Sequence, residues 1–151
     1  MNSGFKFGIV VFAAVMLACC GGFMLLLSPI TSAVNKKEKE AKGFGDAYTR
    51  QILRGFDAGV LTSLATKEYR AEFSKEAFQK SLDANKSALG DFVSGKGSAS
   101  IKSAKKEGKD PVIHAVYQNR ATFERGKAKV RIDLVFQDDK WSIEQFAIEP
   151  N

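Results

Sequence analysis

The only imidazole in this chain is His114, and its only two thiols are Cys19 and Cys20. A single histidine cannot build a metal site from several imidazoles. No Asp-rich loop has the spacing of a calcium-binding EF-hand either. Residues adjacent in sequence sit too close for ordinary disulfide geometry, so Cys19 and Cys20 do not bridge each other. They lie in an apolar run and read as small packing residues, with S-acylation as the alternative. The segment Gly90-Asp91-Phe92-Val93-Ser94-Gly95-Lys96-Gly97 comes close to a phosphate-binding P-loop. Gly97 stands where that loop needs Ser or Thr. The segment also follows a helix and precedes a strand, the reverse of the required context. It reads as a flexible loop. No metal and no cofactor is expected.

From Phe7 to Leu27 no residue is charged. About 20 apolar residues, each rising ~1.5 Å, span the ~30 Å of a bilayer's hydrocarbon. An uncleaved single-pass membrane anchor is expected over 1–35, followed by a charged juxtamembrane linker over 36–42. Ala14, Ala18 and Gly22 lie at helical spacing, a pattern that lets two membrane helices approach and self-associate. Three other readings are weighed. A cleaved signal would end near Thr31-Ser32-Ala33, but the apolar run is longer than signal peptides use. A lipoprotein would be modified at Cys19 or Cys20, but the run continues past both. A pilin-like leader would be cut between Gly4 and Phe5, but Ile9 stands where pilins carry Glu. The domain is expected outside the cytoplasm, although Lys36, Lys37, Lys39 and Lys42 bias the charge count the other way.

Beyond the anchor about 110 residues remain, near the commonest domain size. Twelve Phe and one Trp supply the bulk for a core. The net charge is +6 and the pI about 9.3. The lysines alternate with acids, and no Arg cluster has interleaved aromatics, so nucleic acid is not the expected partner. A membrane, with a membrane-protein partner or self-association through the anchor, is.

The elements divide into a helical half and a strand half. Phe44, Tyr48, Ile52 and Phe56 recur every fourth residue, predicting a helix from Lys36 to about Ala58, closed by Gly59. A short turn follows over Val60–Ala65. Ser74 reads as the N-cap of a helix that buries Phe78, Leu82 and Leu89 and stops at Gly90. After Gly97 the period becomes two. Strands are predicted from Ala99, from Pro111 and from Ala128, the last alternating Val130, Ile132, Leu134 and Phe136 with polar residues. Asp138-Asp139 makes a tight hairpin turn. Trp141 and Ile143 face inward, and Phe146 and Ile148 are out of phase by one. A bulge near Glu144-Gln145 would restore them to the core. The fold class is α+β: about three helices on a curved four-stranded antiparallel sheet.

Tyr69-Arg70-Ala71-Glu72-Phe73 and Lys140-Trp141-Ser142-Ile143-Glu144-Gln145-Phe146, within this order of elements, resemble the nuclear transport factor 2-like superfamily of cone-shaped α+β domains. The resemblance covers about residues 43–149 and defines the domain as 43–151. It implies a pocket between helices and sheet. It implies no function, because members include enzymes, binding domains and assembly modules. An enzyme of this kind needs a base and donors inside the pocket. The candidate pocket residues are Tyr48, Tyr69, His114 and Tyr117, with Asp57 and Asp133 as further acids. By strand parity Asp133 points to solvent, the face of His114 stays open, and Asp57 reads as a turn residue. No base–acid pair assembles from these positions. The expected function is a non-catalytic membrane-anchored binding or accessory module contacting a protein partner. A small pocket isomerase, dehydratase or hydrolase, and a pilin-like or lipoprotein subunit, are the alternatives.

Overall fold

A computed structural model describes residues 32–107 and 110–150. The apolar run, with Ala14, Ala18 and Gly22, lies outside the described residues. Among the described residues, no helix is long and apolar enough to cross a membrane. The chain divides into two units, Met1–Lys36 and Lys37–Asn151. The second is the α+β domain.

Among the described residues, four helices precede four strands. They are α1 (32–55), α2 (Ala58–Leu64), α3 (Lys67–Glu72), α4 (Lys75–Leu89), β1 (Phe92–Glu107), β2 (Asp110–Phe123), β3 (Gly126–Gln137) and β4 (Lys140–Pro150). The strands form one antiparallel meander in the order β1-β2-β3-β4.

The buried stripe of α1 differs from the expected one. Ala41, Gly45, Thr49, Ile52, Leu53 and Phe56 face the sheet, while Phe44 and Tyr48 are half-buried with their rings 4.5 Å apart. Close approach of the helix to β2 favours small residues over rings at the middle of the contact. The end of α1 also differs. Phe56 adopts a left-handed φ of 45°, and Asp57 N-caps α2 by accepting from the Gly59 amide at 2.7 Å. Gly59 therefore lies inside a helix and does not close one. The Phe56 conformation is uncommon for a non-glycine residue. Full burial of its ring, 6.3 Å from that of Phe123, offsets that cost. Gln79 of α4 clamps the junction, donating to Phe56 O at 2.8 Å and accepting from Ala58 N at 3.1 Å.

The segment around Tyr69 is a helix of its own, so the expected three become four. Thr66 caps it by accepting from Tyr69 N. Helix α4 follows expectation, with Ser74 as N-cap, Gly90 at its end, and Phe78, Leu82 and Leu89 buried. The Arg125 guanidinium donates to the Ser87 carbonyl, an acceptor at the helix end, and adds a second bond to the Lys86 carbonyl, which also accepts from the Gly90 amide.

Strand β1 begins at Phe92, well before the expected Ala99. The P-loop-like segment is therefore largely strand and not loop. Its alternation is invisible in sequence because Gly95 and Gly97 occupy inward positions. The β3–β4 hairpin turns on Asp138 and Asp139, both left-handed at φ 51° and 57°, as a two-residue turn requires. Asp133 pairs with Gln145, and Leu134 with Ile143, leaving Glu144 as the extra bulge residue. This returns Phe146 and Ile148 to the core side. Trp141 is half-buried against Phe136, ring centroids 5.3 Å apart. The core is centred on Ile52, Leu53, Phe56, Leu61, Tyr117, Val130, Ile132, Leu134 and Ile143.

Candidate functional site

Strand β2 sorts its polar residues onto two faces. Tyr117 and Asn119 share the inner phase with Ala115 and Ala121 and are buried. His114, Gln118 and Arg120 point the other way.

On the inner face, Tyr117 lies between α1 and β1. A Cβ added at Gly45 or at Gly97 would collide with the Tyr117 side chain, so both neighbours must lack one. The phenol donates to Asp46 Oδ1 at 2.7 Å and accepts from Asn119 Nδ2 at 2.8 Å. The second Asp46 oxygen takes the Lys42 ammonium, one turn earlier on α1. Burial pushes the Tyr117 phenol up to about 12, and the Asp46 carboxylate reinforces the shift against the Asn119 amide. Burial also raises the Asp46 carboxyl. Hydrogen bonds from Lys42 and Tyr117 outweigh it and hold the group below the ordinary carboxylate range. The unit is a neutral phenol clamped by an ionised carboxylate. Its one proton is committed to Asp46, and it is a poor base near neutral pH.

The four expected pocket residues do not converge. Tyr69 packs in an aromatic cluster with Phe73 and Phe78. Its hydroxyl accepts from the Phe146 amide at 3.0 Å and donates to the Phe146 carbonyl at 3.3 Å, tying α3 to β4. Tyr48 leans on Phe44. His114 is on the outer face, its Nδ1 2.9 Å from the bulged Glu144 carboxylate. Only Tyr117 enters a buried polar network. Asp57 is a helix cap, and Asp133 is outside, paired with Arg131 at 2.9 and 3.1 Å. Sequence reasoning missed Lys42, Asp46, Thr49 and Asn119. One signal was present: Asn119 is polar in the phase of Ala115, Tyr117 and Ala121.

On the outer face, register aligns Lys96 of β1, Arg120 of β2 and Lys129 of β3 in one row across the sheet. With Ser98 and Gln118 they line a furrow of about 470 Å³. Among the described residues, no three His, Cys, Asp or Glu side chains group closely enough to hold a metal ion. No family model matches this chain, and no curated protein or solved structure matches it either.

Proposed function

We propose that this chain is a non-catalytic binding module, held at a membrane surface by the apolar run 7–27 and engaging an acidic face of a protein partner there. The supporting observation is the cationic row Lys96–Arg120–Lys129. Three positive side chains on adjacent strands present a charged surface of fixed geometry, which favours encounter with, and orientation of, an acidic partner. The two buried phenols are meanwhile engaged within the fold, Tyr117 by Asp46 and Asn119, and Tyr69 by Phe146. The nuclear transport factor 2-like likeness belongs to this proposal as the architecture of the module. Tethering supplies effective concentration, so a modest interface suffices.

The test is rescue of cells lacking the protein. Lys96→Glu with Arg120→Glu, and separately removal of residues 1–35, should each abolish rescue. His114→Gln and Asp133→Asn should rescue fully. Rescue by the untethered domain combined with loss at His114→Gln would refute the proposal and point to soluble catalysis at the His114–Glu144 pair.

A further inference from the structure

The fold treats the two edge strands of its sheet, β1 and β4, differently. An edge strand presents a row of backbone N–H and C=O groups that can template another chain. On β4 that row is engaged. Ile143 O accepts from the Thr66 amide at 2.9 Å, and the Tyr69 hydroxyl bonds both the amide and the carbonyl of Phe146. On β1, among the described residues, no backbone group outside β2 bonds the main chain. Between its two register shifts β1 runs regularly from Ser94 to Ile101. Ser94, Gly95, Lys96, Ser98 and Ser100 are exposed there.

Which groups point to the free edge follows from β4. Phe146 turns its amide and carbonyl away from β3. Bonded and non-bonded pairs alternate in an antiparallel ladder. Ile132, opposite Phe146, therefore turns its own groups toward β2, and Tyr117, opposite Ile132, turns its toward β3. Ala99, opposite Tyr117, is left with its N–H and C=O at the free edge, as are Gly95 and Gly97 in the same phase. These three residues face α1, whereas Lys96 and Ser98 face outward.

Charge selects the occupant. On the outer face Lys96 lies in one row with Arg120. On the inner face the ionised Asp46 carboxylate, held by Lys42 and Tyr117, lies close to Gly97. Opposite charges facing each other across a strand pair are favourable, and like charges are unfavourable. A complementary strand therefore carries acids in the outer phase, opposite Lys96, and uncharged residues in the inner phase. A second copy of β1 would bring lysines instead, and lysines in an edge strand discourage such pairing.

We infer that the free edge of β1, from Gly95 to Ala99, takes up an extended segment of the acidic partner as a fifth, antiparallel strand, in which acids alternate with uncharged residues. Strand addition rests on the acidic-partner proposal and deepens it. Main-chain hydrogen bonds supply affinity, and alternate side chains supply specificity.

The test uses the full chain in mild detergent and a fluorescent peptide, Glu-Val-Glu-Thr-Glu-Val-Glu, read by anisotropy. Binding should be saturable, and exchange of the Gly95, Gly97 and Ala99 amides should slow at least about tenfold. N-methylation of the Val and Thr residues, whose amides would face β1, should weaken binding at least about tenfold. N-methylation of the Glu residues, whose amides would face away, should change it by no more than about twofold. Lys96→Glu with Arg120→Glu should weaken it about tenfold. Ala99→Pro removes an edge N–H without breaking the β2 ladder, and should abolish both peptide binding and rescue while the unfolding transition is retained. The methylated peptides probe the same contact on the unaltered chain, so the result does not hang on the folding of Ala99→Pro. Absence of saturable binding, indifference to methylation, or dependence on the Glu amides would overturn the inference. So would protection of the same amides by self-association without peptide. Rescue by Ala99→Pro, alongside its loss in Lys96→Glu with Arg120→Glu, would refute strand addition and leave the acidic partner standing. Rescue by the charge-reversed chain would refute both.

Discussion

Strand β2 carries two kinds of polar residue, one residue apart. Tyr117 and Asn119 face α1, are buried, and are held by short hydrogen bonds in a slot made by two glycines. Gln118 and Arg120 face outward and are exposed. Inside, a hydroxyl left unpaired costs its full desolvation, so partners are locked in place. Outside, water and salt screen each charge, and what remains useful is the collective field of a row. Polar residues of one strand therefore stabilise the fold on one side and remain available for recognition on the other.

This contrast is sharpest on β3, where Ile132 is fully buried and its neighbour Arg131 faces out. Ile132→Ala should lose about 2–5 kcal/mol, from lost burial plus the residual cavity. Denaturant unfolding followed by Trp141 fluorescence reads this directly. A loss under about 1 kcal/mol would mean that the inner face is not the core.

The glycine slot comes next. Gly45→Ala places a methyl in the Tyr117 ring, and the helix must move away from the sheet. Overpacking of this kind costs about 1–3 kcal/mol. Because the strain is steric, Gly45→Ala combined with Tyr117→Ala should destabilise by less than the sum of the two single changes.

Removing one hydroxyl should have an effect of similar size. Tyr117→Phe leaves Asp46 Oδ1 and Asn119 Nδ2 each short of a partner, for a loss of about 1–3 kcal/mol. Its pH signature is more specific. The folded phenol titrates near 12 and the unfolded one near 10. This contribution is complete below pH 10 and disappears as pH rises from 10 towards 12, because the unfolded chain releases its proton first. The parent should lose stability across that window more steeply than Tyr117→Phe. Asp46 acts at the other end. Its lowered value stabilises the fold above the ordinary 3.8, and this is lost as pH falls below it. Parallel alkaline profiles for parent and variant would show that Tyr117 is not clamped.

The smallest effect belongs to the outer face. Arg120→Ala should shift the unfolding midpoint by no more than about 0.5 kcal/mol, as exposed substitutions do. Its retention on a cation-exchange column should nevertheless fall measurably. A large stability loss here would mean that the cationic row is part of the fold's support and not a free surface.

Much of the architecture is legible in sequence because it rests on local rules. Ser74 and Gly90 bracket α4, Asp138-Asp139 turns the last hairpin, and the alternation of β3 and the bulge at Glu144 follow from apolar phase. The expected convergence of Tyr48, Tyr69, His114 and Tyr117 does not occur, because hydrophobic periodicity says which residues share a face but not which faces meet. The partnership of Asp46 with Tyr117 spans 71 residues of chain, and no local pattern encodes it.

Sequence by itself determined the α+β class, the apolar run at the start, the capped helix and the meander, because each depends on residues within a few positions of one another. Tertiary structure alone decided which face of α1 is buried, that Gly45 and Gly97 form a slot for Tyr117, that His114 belongs outside, and that Lys96, Arg120 and Lys129 fall into one row. The reason is geometric. Those facts depend on the register between strands and the distance between helix and sheet, which are set by packing the whole domain at once.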